Sequence, residues 1–72
     1  MRITIQSFIP WMQELNGEHQ IGEGTTIFEL LQQLKLEWDR DVLVAINDRI
    51  AKADDVLTQG DLVVLLVPLT GG

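Results

Sequence analysis

The sequence predicts an α+β domain, in which a mixed sheet is covered on one face by one main crossover helix. Residues 2–8 alternate between apolar and polar side chains, which is the period-2 pattern of a strand with one buried face. A capped amphipathic helix follows Thr26, and the last third of the chain is rich in β-forming residues. Strands arranged around a single helix are typical of this fold class.

The first third of the chain is predicted to form two strands joined by a short helical turn. The first strand covers residues 2–8. Pro10 ends it and occupies the first position of a helical turn over residues 11–16, where the missing N–H of proline costs nothing. Gly17 stops the turn because it tolerates a positive φ. Residues 18–21 then form the second strand.

The main helix is predicted to begin after Thr26. Thr26 and Glu29 have the spacing of a capping box, in which each side chain accepts a hydrogen bond from the backbone of the other residue. Four apolar residues then recur at i, i+3, i+4 and i+7 and form one buried stripe. These residues are Ile27, Leu30, Leu31 and Leu34.

The remainder of the chain is predicted to be mostly β-structure. The segments are a strand over 42–46, a turn at Asn47-Asp48, a return strand over 49–52, a turn over 59–61 and a strand over 62–67. The last strand is apolar throughout. Such a run predicts burial on both faces, with the core on one side and a partner on the other.

Composition excludes several classes of function. The chain has 72 residues, 46% of them apolar, and a domain of this size buries only about 60% of its unfolded surface, which leaves little room for an enclosed active site. The absence of cysteine excludes disulfides, thiolate zinc sites and thiol nucleophiles. A net charge of −6 argues against nucleic acid and anionic membranes as partners.

The sequence also lacks the patterns of export and membrane insertion. No apolar run approaches the roughly 20 residues that span a bilayer, and the N-terminal segment is not of the signal-peptide type. We therefore expect one cytoplasmic domain over residues 1–72, whose function involves another protein.

The terminal Gly71-Gly72 is the strongest functional signal. Glycine has no Cβ, so a diglycine fits an extended slot that is too narrow for other residues. ATP-dependent activation of a C-terminal carboxylate to an acyl-adenylate requires such access. The alternative is a frayed chain end. Because the predicted strand over 62–67 lies just before it, we interpret residues 69–72 as a flexible tail that projects from a rigid edge.

Other polar and aromatic residues give weaker signals. His19 has no second histidine or cysteine with which to share a metal ion, so a surface histidine is favoured. Asp54 and Asp55 are adjacent in a loop, and a solvated pair is favoured because acid–base catalysis requires a cleft. Trp11 and Trp38 lack the interleaved basic residues of a platform for single-stranded nucleic acid. Core packing is the better interpretation of both.

Taken together, the motifs resemble those of the ubiquitin-like β-grasp sulfur carriers of the MoaD/ThiS family. The resemblance rests on Val-Ala-Ile-Asn at 44–47, Leu-Thr-Gln-Gly-Asp at 57–61, Pro68 and the terminal Gly71-Gly72. The capped helix with its Leu30-Leu31 pair extends it over most of the chain.

Two details resemble the molybdopterin branch of that family, MoaD. Phe8 is followed by a short helical segment that ends in Glu-Leu-Asn-Gly at 14–17, and the chain ends in Pro-Leu-Thr-Gly-Gly at 68–72. Two residues depart from the pattern. Gln13 replaces a basic residue that is common there, and Val67 replaces the first proline of a frequent Pro-Pro pair.

The resemblance implies a carrier rather than a catalyst. An adenylating enzyme of the ubiquitin-activating type would use ATP and magnesium to activate the Gly72 carboxylate, and a sulfur donor would convert it to a thiocarboxylate. The carrier itself would bind no cofactor or metal. Its sulfur would pass to a pterin precursor in the large subunit of molybdopterin synthase.

The same motifs are consistent with other functions. A related carrier would donate sulfur to thiazole synthase in thiamine formation, or to transfer RNA. Two further classes are a ubiquitin-like modifier that forms isopeptide bonds with lysine, and a non-catalytic interaction module.

The resemblance also implies docking positions. The residues are Leu66, Ile50, Pro68, Leu69 and Thr70, beside the sulfur-carrying Gly71 and Gly72. Burial of Leu66 and Ile50 in the core is the alternative for these two residues. The carboxylates of Asp54, Asp55 and Asp61 would steer a basic partner or serve as ordinary solubilising charge.

Overall fold

The chain forms a five-stranded mixed sheet with one α-helix packed on one face. The computed structural model describes residues 1–38 and 40–68. Its elements are β1 (Arg2–Ser7), a 3-10 helix (Pro10–Leu15), β2 (Gly17–Gln20), α1 (Ile27–Gln33), β3 (Leu43–Ile46), β4 (Arg49–Ile50) and β5 (Leu62–Leu66). The predicted fold class is confirmed, and the predicted strands differ from these bounds by one or two residues at their ends.

The strand order of the sheet is β2-β1-β5-β3-β4. The last strand, β5, therefore lies in the centre. It runs parallel to β1, with Thr4 opposite Leu62, and antiparallel to β3, with Leu43 opposite Leu66. The two remaining pairs, β1–β2 and β3–β4, are antiparallel hairpins.

Helix α1 has the predicted capping box. The Thr26 hydroxyl oxygen accepts a hydrogen bond from the Glu29 N–H at 3.1 Å, and the Glu29 carboxylate accepts one from the Thr26 N–H at 3.0 Å. Leu34, the last member of the predicted stripe, is the half-buried C-cap residue rather than part of the helix. In the part of the chain that the structure describes, no helix has the length and apolarity needed to cross a membrane.

The core lies between α1 and the inner face of the sheet. Its apolar side chains include Ile27, Leu30 and Leu31 from the helix and Ile3, Ile5, Val44, Ile46, Val63 and Leu65 from the strands. Trp38 is half-buried against this cluster, as predicted. Strand β5 is not buried on both faces, however, because Leu62, Val64 and Leu66 are half-buried on the outer face.

The core prediction for Trp11 is wrong, since its side chain is 65% exposed. Polar contacts hold the 3-10 helix in place instead. The Gln13 side-chain amide donates hydrogen bonds to the carbonyls of Ser7 and Ile9 at 3.0 and 2.9 Å. The Asn16 side chain accepts a hydrogen bond from the Ser7 N–H at 2.7 Å and donates one to Gln13. These contacts position the segment without the indole.

Candidate functional site

The predicted sulfur-carrying segment begins where the central strand ends. Leu69, Thr70, Gly71 and Gly72 lie outside the described residues. The last described residue is the half-buried Pro68, two residues after β5. The candidate site is therefore built from the surfaces that surround the end of β5.

The register of the sheet places one row of side chains across its outer face. Val64 of β5 pairs with Gln6 of β1 and with Ala45 of β3, and Ala45 pairs with Ile50 of β4. Residues that pair directly share a face. Ile50 is 59% exposed, so the alternative that it belongs to the core is wrong.

A second outer-face row lies closer to the end of β5. Leu66 pairs with Leu43. On the other side, the Phe8 N–H donates a hydrogen bond to the Leu65 carbonyl at 2.8 Å and so continues the ladder beyond β1. Ser7 is buried, and successive residues point to opposite faces, so the exposed Phe8 lies on the outer side.

The apolar residues of these two rows form one surface on the outer face of the sheet, bordered by Gln6 of β1. We call it the outer patch, and its residues are Phe8, Leu43, Ala45, Ile50, Val64 and Leu66. Leu66 and Ile50 were expected at a docking surface. Phe8, Leu43, Ala45 and Val64 were not identified from the sequence, because their place depends on the pairing register.

Asp61 is neither a steering charge nor a solubilising one. Its side chain is 8% exposed and accepts hydrogen bonds from the Thr58 N–H at 2.8 Å, the Asn47 amide at 2.9 Å and the Thr58 hydroxyl at 3.0 Å. Burial opposes ionisation of this carboxyl, but the hydrogen bonds from Thr58 and Asn47 outweigh it, so the pKa of Asp61 is lowered. Asp61 joins the turn after β3 to the start of β5.

The other two predicted surface carboxylates differ from each other. Asp55 accepts a hydrogen bond from the Lys52 N–H at 2.8 Å and pairs with Arg49 at 3.2 Å. The Lys52 hydrogen bond, followed by the charge of Arg49, lowers the pKa of Asp55. Asp54 is exposed and, unlike Asp55, makes no ion pair or side-chain hydrogen bond with residues 1–38 and 40–68.

The histidine belongs to the local structure of the β1–β2 connection. The His19 Nε2 lies 2.7 Å from the Leu15 carbonyl oxygen. Within the described ranges, no three histidine, cysteine, aspartate or glutamate residues converge as a metal site.

The family of the chain follows from comparison with known proteins. The model of the ThiS family matches residues 7–72. The chain belongs to the ThiS family. A search of curated proteins gives no match.

Solved structures with this ThiS-family fold come from both branches of the resemblance. The putative molybdopterin converting factor subunit 1 of Pyrococcus furiosus is 22% identical, with a TM-score of 0.78 over 96% of this chain and 99% of that one. The thiamine biosynthesis protein ThiS of Geobacter metallireducens is 22% identical, with a TM-score of 0.70 over the full length of both chains.

A third structure is a complex of subunits 1 and 2 of the molybdopterin-converting factor from Helicobacter pylori. It is 27% identical, with a TM-score of 0.69 over the full length of both chains. The expected resemblance to the MoaD/ThiS family and the β-grasp fold are thus confirmed. The ThiS-family chain has the ubiquitin-like fold of the sulfur carriers, which both branches share.

Proposed function

We propose that the protein carries sulfur on the C-terminal carboxylate of Gly72 and donates it in molybdopterin biosynthesis. One observation carries the proposal beyond family membership. The outer patch extends from Phe8 across β5 and β3 to Ile50 of β4, and it includes Leu66 at the end of β5, the strand that leads toward Gly71-Gly72. A rigid body, an apolar docking surface and a terminal diglycine are the parts that a protein substrate of larger enzymes requires.

The chemistry assigned to the carrier is confined to its terminus. A Gly72 carboxylate oxygen attacks the α-phosphorus of magnesium-bound ATP in the adenylating enzyme, and pyrophosphate leaves. The terminal sulfur of a donor persulfide then attacks the acyl carbon, and AMP leaves. Reduction of the resulting acyl disulfide by a thiol releases the thiocarboxylate. The enzymes supply the acids, bases and metal, and the carrier supplies the docking surface and the carboxylate.

The molybdopterin branch is favoured by the Helicobacter pylori protein, which is solved as a complex with its subunit 2. By analogy we propose a large catalytic subunit as the partner that receives the sulfur. The 3-10 helix after Phe8 supports the same branch, because it resembles the helical segment of MoaD carriers at this position. Thiazole synthase is the corresponding partner in the thiamine alternative.

Intact-mass measurement tests the proposal directly. After incubation with the adenylating enzyme, magnesium-ATP and a sulfur donor, we expect one terminal oxygen to be replaced by sulfur. A ladder of conjugates on other proteins would instead indicate a modifier. An unchanged mass, with an enzyme that modifies its own established carrier in parallel, would contradict the proposal.

Charge placed in the outer patch is expected to weaken binding of the large subunit. Ile50→Asp and Leu66→Asp each put a carboxylate where an apolar contact forms, and we expect the Kd to rise about tenfold or more. Val56→Asp is the matched control, because Val56 is 56% exposed but lies beside Thr26, away from the patch. Titration calorimetry measures the Kd. An equal rise in the Kd of all three variants would contradict docking through the outer patch.

A further inference from the structure

The Trp11 side chain is exposed and is not among the side chains that pack against the core. The 3-10 helix is held by the hydrogen bonds of Gln13 and Asn16, and its Met12 and Leu15 side chains pack against the core. The indole contributes to neither set of contacts. Tryptophan is strongly enriched among residues that dominate the energy of protein interfaces, so an exposed indole on a rigidly held segment marks a contact surface.

The indole borders a groove at the root of the tail. Trp11, Val67 and Pro68 line a cavity of about 450 Å³ together with Lys35 and Leu36. Leu36 belongs to the core beneath α1, so this groove lies on the helix side of the sheet. The outer patch lies on the opposite side. We call this cavity the tail-root groove.

The groove also carries an available positive charge. Arg40 and Asp41 both line it, and the Arg40 guanidinium is paired with Glu37 at 2.8 Å and with the Asp41 carboxylate at 3.2 Å. Lys35 is exposed and has no carboxylate within ion-pair distance among residues 1–38 and 40–68. Lys35, which has no ion-pair partner within the described ranges, lines the same groove as the exposed indole of Trp11 in a protein of net charge −6.

A neighbouring cavity extends the surface available to a partner. A second cavity, of about 520 Å³, shares Lys35 and Arg40 with it and extends to Phe28 and Trp38 on the helix side. Phe28 is among the exposed large apolar side chains. Lys35 therefore lines both cavities, one with Trp11 and Val67 and the other with Phe28 and Trp38.

We propose that the tail-root groove is a second docking site, which binds a segment of the adenylating enzyme bearing an apolar side chain next to a carboxylate. The inference rests on the proposed function. An enzyme that takes the tail into a narrow slot surrounds its root, and so contacts the helix side as well as the outer patch. The apolar side chain packs on Trp11 and Val67, and the carboxylate pairs with Lys35.

The test is the carrier-dependent exchange of pyrophosphate into ATP by the adenylating enzyme. Trp11→Ala and Lys35→Glu are expected to raise the KM for the carrier about tenfold and leave kcat unchanged, because they alter docking and not the terminus. Lys35→Arg retains the charge and is expected to keep the wild-type KM. Val56→Ala removes an exposed apolar side chain elsewhere and is the control for Trp11→Ala.

The outcomes separate this inference from the proposed function. A wild-type KM in both Trp11→Ala and Lys35→Glu, with a raised KM in Ile50→Asp, would contradict docking at the tail-root groove. The proposed carrier function would be unaffected by that result. Absence of exchange with the wild-type chain, from an enzyme active on its established carrier, would contradict the proposed function itself. Since Lys35 is exposed, Lys35→Glu tests the groove independently of any effect of Trp11→Ala on folding.

Discussion

Removal of Gly72 is expected to abolish sulfur transfer while leaving thermal stability nearly unchanged. An extended residue spans about 3.3–3.6 Å, so deletion withdraws the reacting carboxylate by that distance from a site fixed by docking. A misplacement of about 1 Å can already cost on the order of a hundredfold in rate. Addition of one residue after Gly72 is expected to have the same effect. Leu65 is the last core residue within the described ranges, so we expect Tm to be nearly independent of the terminus.

The measurement pairs pyrophosphate exchange with a thermal melt. Val56→Ala keeps the length of the tail, changes an exposed side chain away from the outer patch and is the control. A shortened chain that is still adenylated at the wild-type rate would show that Gly72 is not the reacting terminus. A large fall in Tm on deletion would show that the tail is structural.

Asp61→Ala is expected to lower the free energy of unfolding by about 3 kcal/mol. The substitution leaves the Thr58 N–H and the Asn47 amide without their buried acceptor. Asp61→Asn retains one acceptor oxygen and is expected to lose about half as much. Asp54→Asn removes the same charge from an exposed position and is expected to change stability by less than about 0.5 kcal/mol. Urea unfolding measures all three.

The same carboxylate gives stability a defined pH dependence. Its pKa is lower in the folded chain than the ordinary aspartate value of about 3.9. Its contribution is therefore fully present above that value and is lost as the pH falls through the lower folded pKa. We expect the stability difference between wild type and Asp61→Asn to shrink between about pH 5 and about pH 2. A constant difference over that range would contradict a lowered pKa of Asp61 in the folded state.

Local patterns sufficed for most of the fold. The alternation in residues 2–8 and the Thr26–Glu29 capping box depend only on neighbours in sequence, and both are confirmed. Trp11 could not be predicted in this way. The 3-10 helix contains Trp11, Met12 and Leu15, and the sequence does not indicate which of them packs on the core. Its orientation is set by the hydrogen bonds from the Gln13 side chain to the carbonyls of Ser7 and Ile9.

The part of the candidate site that depends on local sequence motifs could be predicted. The diglycine could be recognised directly, and Leu66 and Ile50 followed from the family resemblance. The remaining outer-patch residues depend on which residues of distant strands pair, as Leu43 does with Leu66. Burial of Asp61 likewise required knowledge that Asn47 lies beside it.

The central position of β5 has a consequence for how the molecule folds. Because β5 joins β1 on one side and β3 on the other, the sheet cannot close until residues near the two ends of the sequence meet. Such non-local parallel pairing slows folding. The outer patch, which needs side chains from β1, β3, β4 and β5, is assembled in the same step. Under the proposed function, an incompletely folded chain would offer its partners a terminus without a docking surface. We therefore expect activation to be restricted to chains that have finished folding.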